Sequence, residues 1–132
     1  MDTQSNPPPL KTRLSPKALG RFGETLAAAV LTGSGLCLIE KNWRASARKN
    51  GVSGEIDLVM RDQDVTVFVE VKTRWSGLPA EALELVTPLK LEQIKKLGLA
   101  WLAEHEWSEH RIDAFGITCS PKVSYQWVRR LA

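Results

Sequence analysis

The sequence predicts one α/β domain in the order helix, three strands, helix, two strands. Three observations predict it. Leu19, Phe22, Leu26 and Val30 recur at helical spacing near the start of the chain. Glu55–Arg61 and Val65–Thr73 are strand-like runs separated only by the polar Asp62–Asp64. A second long helical stretch then opens at Pro88 and is followed by two more strand-like runs.

Residues 1–14 are polar and rich in proline, which predicts a flexible N-terminal tail ahead of a domain over 15–132. Ser15 followed by Pro16 is a helix start, a capping hydroxyl before a residue that tolerates the first turn. That helix should run to about Thr32, where Gly33-Ser34-Gly35 stops it. Lys17, Arg21, Glu24 and Ala28 fall on a different face from its apolar stripe. Leu36–Arg44 reads as a strand and 45–53 as a basic, glycine-containing loop. The two middle strands follow, then a loop at Trp75–Pro79 and a short helix over Glu81–Val86. Pro88 to about Glu106 is the second long helix, with Leu91, Ile94, Leu97, Leu99, Trp101 and Leu102 as its apolar content. Ile112–Thr118 and Val123–Val128 close the domain as strands around Ser120–Pro121.

A chain of 132 residues, 43% hydrophobic and 25% charged, is long enough to bury a core without disulfides. No apolar run approaches the roughly 20 residues of a membrane span, and the N-terminus lacks the pattern of a secretory signal. Cys37 and Cys119 have no Cys-x-x-Cys partner and read as buried thiols of a cytoplasmic protein. The net charge is only +3, but it is unevenly spread. Between Lys11 and Lys49 eight basic residues stand against two acidic ones, and from Glu81 to Glu109 six glutamates stand against three lysines. A basic first third suits a polyanionic partner, although an unevenly charged solvated surface would look the same.

The middle hairpin carries the chemistry. With Gln63–Asp64 as a two-residue loop, Asp62 faces Val65 and opposed residue numbers sum to 127. Asp57 then faces Glu70, and Glu55 faces Lys72. Ile56, Leu58, Met60, Val67, Val69 and Val71 gather on one face, while Glu55, Asp57, Glu70 and Lys72 gather on the other, with Arg74 following. A slip of one residue would mix the two faces. Adjacent carboxylates on a sheet repel, and a divalent cation with hard oxygen ligands, Mg²⁺ or Mn²⁺, would remove that cost. Such an ion can lower the pKa of a bound water, and a lysine beside it can orient that water or steady a phosphate. The alternative for the same residues is a solvated face with Glu55–Lys72 and Asp57–Arg74 ion pairs. Glu-x-Lys alone is too common to decide between them.

The strings G-R-F-G-E (20–24), N-W-R (42–44), G-E-I-D-L-V (54–59), V-F-V-E-V-K-T-R (67–74) and R-I-D-A-F (111–115) together bear on that choice. Over roughly residues 19–119 they resemble the YraN-like family of small bacterial proteins, within the PD-(D/E)XK, or restriction-endonuclease-like, nuclease superfamily. They are also similar to the archaeal Holliday-junction resolvases. The resemblance implies a three-layer α/β/α restriction-endonuclease-like fold around a mixed five-stranded sheet. It implies a catalytic set of Glu24, Asp57, Glu70 and Lys72, with Asp57, Glu70, Glu24 and the Val71 carbonyl as ligands of Mg²⁺ or Mn²⁺. Ile56 rather than proline precedes the aspartate, residues 45–53 look longer and more basic than usual, and S-G-L-P-A follows the Glu-x-Lys strand. These departures touch loop contacts, not the core residues.

The reading that follows is a Mg²⁺-dependent endonuclease acting on DNA rather than RNA, with branched or damaged structures as candidate substrates. Lys17, Arg21, Arg44, Arg48, Lys49, Arg74 and Lys90 are the expected backbone contacts, and Trp75 is the candidate for stacking on an unpaired base. No membrane partner is expected, and a homodimer is compatible with the reading. The rivals are a nucleic-acid-binding module without turnover and a protein-interaction scaffold. His105 and His110 lack a metal-ligand pattern and read as surface or capping residues. Trp101 and Trp127 read as core, and Asp113 as structural. No Ser-His-Asp arrangement, phosphate-binding glycine loop or dinucleotide fingerprint is present.

Overall fold

The computed structural model describes residues 12–132, so the expected tail over 1–14 and the basic Lys11 fall outside it except for 12–14. Ser15 caps helix α1 (Pro16–Gly33), accepting from the Ala18 N–H at 3.3 Å. Strand β1 (Cys37–Ala45) follows, then a short helix α2 (Ala47–Asn50), β2 (Gly54–Asp62) and β3 (Val65–Ser76). Helices α3 (Pro79–Leu83) and α4 (Pro88–Ala103) lead to β4 (His110–Ser120) and β5 (Ser124–Val128). The strands lie side by side in chain order, antiparallel throughout except for the parallel β3–β4 pair. The crossover between those two strands is the α3–α4 segment, as parallel neighbours require.

Each face of the sheet is covered. Ala27 and Leu31 of α1 pack on Leu58, Met60, Val67, Val69, Val71, Phe115 and Ile117. On the other side Ile94, Leu97, Trp101 and Leu102 of α4 pack on Trp43, Ile56, Val59, Phe68 and Ile112. Helix α3 joins that second layer, where the Pro79 carbonyl and Leu83 lie against Gly116. The result is the three-layer α/β/α, restriction-endonuclease-like arrangement around a mixed five-stranded sheet. None of the described helices is long and apolar enough to cross a membrane.

Several expectations need correction. The 45–53 segment is not all loop: the Ser46 hydroxyl caps the four-residue α2, which ends at left-handed Gly51. Strand β3 runs on through Trp75, and α3 starts at Pro79 rather than Glu81. Helix α4 stops at Ala103, three residues early, and Leu99 is half exposed on its outer face. Cys37 is exposed, and only Cys119 is buried; both are free.

Close layer contacts explain two glycines. A Cβ on Gly98 of α4 would lie 2.8 Å from the ring of Phe68, and one on Gly23 of α1 would strike the hydroxyl of Thr73 and approach Ile117. Gly98→Ala should therefore lower stability by about 1–3 kcal/mol despite its better helix propensity, read from the urea midpoint. A stabilised variant would show that α4 does not sit this close to the sheet.

Candidate metal centre

The hairpin register holds from Asp62–Val65 to Leu58–Val69, every pair summing to 127. There the ladder stops, one step short of the expected Asp57–Glu70 pair. The Asp57 carboxylate accepts the Val71 N–H at 2.8 Å, so a side chain takes a hydrogen bond that a strand carbonyl would otherwise have received. On its other side β2 continues its pairing with β1, where Asn42 faces Asp57 between the Lys41–Leu58 and Trp43–Ile56 pairs. Asn42 is left-handed, with φ of 53°.

Alternation resets at this point. Leu58 and Met60 pack under α1, whereas Ile56 packs with Trp43 and Leu97 on the α4 side. The expected all-apolar face of Ile56, Leu58 and Met60 is thus divided between the two cores. Glu55 does not face Lys72; it pairs across β1 with Arg44 at 2.9 Å. The Asp57–Arg74 ion pair is likewise absent among the described residues.

The reset gathers acidic groups from two strands and a helix. Glu24, Glu55 and Asp57 bring one carboxylate oxygen each within 4.8 Å of one another. The Asn42 side-chain amide donates to both Glu24 (2.9 Å) and Glu55 (3.3 Å), spacing the two. Glu70 is 3% exposed, and its Oε2 receives Lys72 Nζ at 3.4 Å and Lys90 Nζ at 3.6 Å. Asp57 lies between these groups. Burial, the charge of Glu70, a hydrogen bond with Glu70 and the charge of Glu24 push its carboxyl up to about 8, against the lowering effect of the Val71 N–H. A carboxyl disfavoured as an anion, ringed by further carboxylates, is the environment that a hard divalent cation relieves. Glu24, Glu55, Asp57 and Glu70 are the side chains that could hold one, and the Val71 carbonyl belongs to the same strand segment.

Of the expected catalytic set, Asp57, Glu70 and Lys72 meet here and Glu24 reaches Asp57 from α1. Two residues outside that set join the centre. Glu55 stands two residues before Asp57, a spacing that shares a strand face, and its cross-strand partner is Arg44 rather than the expected Lys72. Lys90, expected to contact phosphate, instead turns inward to Glu70. The other expected nucleic-acid contacts are more scattered. Lys17 and Arg21 are exposed on α1, Arg48 is exposed on α2, and Arg74 is exposed on β3. Arg44 holds Glu55, and Lys49 pairs with Glu104 at 3.6 Å. Trp75 is half-buried against the α1-side core, in a strand rather than on a loop.

Away from the centre, Asp113 is fully buried and accepts from Arg111, the Trp127 indole and the Arg130 N–H. Its role is structural, as the sequence suggests. His105 stacks on Trp101 at 3.7 Å and sits 2.7 Å from the Trp101 carbonyl at the end of α4, a capping position.

Comparison with known proteins places the chain in a family. A UPF0102 protein of Streptomyces coelicolor is 45% identical over 103 residues, covering 76% of this chain and 75% of its own. One from a Nocardioides species is 46% identical over 106 residues (76% and 78%), and one from Nocardia farcinica is 42% identical over 110 (80% of each). The profile of the uncharacterised protein family UPF0102 matches residues 23–117, a span holding Glu24, Asp57, Glu70, Lys72 and Lys90; the chain belongs to this YraN-like family.

Proposed function

We propose that this protein is a divalent-cation-dependent phosphodiesterase of the PD-(D/E)XK nuclease superfamily, acting on nucleic acid and on DNA in preference to RNA. One observation carries the reading: Asp57 and Glu70 converge where the β2–β3 ladder breaks, with the Asp57 carboxyl pushed up to about 8 by burial and by its acidic neighbours. Asp57, Glu70 and the Val71 carbonyl would hold Mg²⁺ or Mn²⁺, and Glu24 with Glu55 would hold a second ion or its water. When bound, the ion supplies a water of lowered pKa and a counter-charge for the phosphoryl oxygens. Lys72, 3.4 Å from Glu70, would be placed to hold such a water or to offset charge on a bound phosphate. Lys17, Arg21, Arg48 and Arg74 supply backbone contacts with little sequence preference, so binding should weaken steeply with salt. The resemblance to junction resolvases makes branched or damaged DNA the proposed substrate class, with the cytoplasm as the proposed compartment and a homodimer compatible with both.

The test is incubation with Mg²⁺ or Mn²⁺ and plasmid, single-stranded, flap and four-way-junction DNA. Wild type is expected to cut at least one of these, and Glu70→Ala is expected to cut none. Equal cleavage by both proteins would assign the activity to a contaminant. DNA binding without cleavage, unaffected by the substitution, would leave a binding module; no affinity at low salt would leave a protein scaffold.

A further inference from the structure

Lys90 occupies an unusual place for a cation. It lies in the first turn of α4, three residues after the Thr87 cap, where the helix dipole favours negative charge, and that turn contains no acidic residue. Its side chain is 29% exposed and ends 3.6 Å from Glu70 Oε2, the same oxygen that Lys72 approaches at 3.4 Å. Two ammonium groups thus converge on one buried carboxylate, the second of them from the first turn of α4. Lys72 is fixed to this neighbourhood by its place on β3, two residues from Glu70. Lys90 comes from another layer on a four-carbon stem that can swing outward.

We infer that Lys90 is an exchangeable counter-ion: its ammonium holds Glu70 in the cation-free protein and is released to the nucleic-acid backbone when a divalent cation takes Glu70. The inference rests on the metal centre proposed above and gives it a form of regulation. Lys90 and a cation compete for one carboxylate, so cation binding is weaker than the acidic cluster alone would give. Each release adds a positive charge to the nucleic-acid surface, so cation and polyanion favour each other's binding by linkage.

The test uses Lys90→Met, which keeps the stem and removes the charge, with Lys90→Arg as the charge-retaining control. In EDTA, Lys90→Met should melt about 3–6 °C below wild type, and the deficit should vanish at saturating Mn²⁺. By calorimetry it should bind Mn²⁺ about five- to tenfold more tightly, because one competing cation has gone. Ca²⁺ should raise wild-type affinity for a duplex oligonucleotide several-fold over EDTA, and Lys90→Met should lose most of that gain. Lys90→Arg should follow wild type in all three measurements. A melting deficit that persists at saturating Mn²⁺ would mark an ordinary structural ion pair and overturn the proposal, as would unchanged Mn²⁺ affinity or an undiminished Ca²⁺ effect. Wild type that binds no Mn²⁺ at all would overturn the metal centre itself, which separates the two failures.

Discussion

Asp57→Asn is expected to abolish cation-dependent cleavage, by at least about 100-fold, while making the cation-free protein more stable at pH 8 by roughly 2 kcal/mol. The asparagine oxygen can still accept the Val71 N–H, and its amide can donate to Glu70, so the local frame survives. What disappears is a carboxyl whose folded-state pKa is raised from 3.8 to about 8 by burial first and by Glu70 next. The native state therefore binds this proton more tightly than the unfolded chain does. Its contribution to stability is fully present below about pH 4 and is lost as pH rises towards 8. Unfolding in EDTA across that window should show wild type losing stability with a slope that Asp57→Asn lacks. Saturating Mn²⁺ should flatten the wild-type slope. A variant that is less stable than wild type at pH 8, or that retains cleavage, would remove Asp57 from the centre.

The largest effect on stability is expected away from the centre. Asp113→Ala should cost about 3–5 kcal/mol, because it strands the buried Arg111 guanidinium and leaves the Trp127 indole and the Arg130 N–H without their acceptor. Arg111 retains Asp62 at 3.0 Å, which keeps the loss from being greater. Adding Arg111→Met to Asp113→Ala should recover part of the loss, since the stranded charge goes with it. The urea midpoint measures both. Cation affinity at the Asp57–Glu70 centre should not change, as no member of this network touches it. Costs that simply add in the double variant would mean the charge network is not the source of the effect.

The sequence carried the hairpin because two independent constraints agreed, a two-residue turn and a period-two segregation of polar and apolar residues. The register from Asp62–Val65 to Leu58–Val69 follows from those alone. It could not show where the ladder ends, because that depends on the Asp57 side chain displacing a backbone acceptor. Nor could it show that Ile56 and Leu58 enter different cores, at the step where β1 carries the left-handed Asn42. Helix α2 was hidden because four residues are too few to express a period. Lys90 was legible only as a cation on a helix. Its inward turn is a contact between layers that no spacing along the chain records. Glu24, by contrast, was placed by resemblance, and the fold brings it beside Asp57 through the tight α1–β3 contact at Gly23.

The reset in β2 has a consequence for how the domain comes apart. One strand contributes Leu58 and Met60 to the core beneath α1 and Ile56 to the core beneath α4, with Asp57 at the crossing. Neither core can open locally without pulling on the other through three adjacent residues. Amide hydrogen exchange should therefore report one cooperative unit rather than two separately fraying halves. An ion seated at Asp57 would slow the slowest-exchanging amides in both layers by the same factor, making ligand occupancy readable from either side of the sheet.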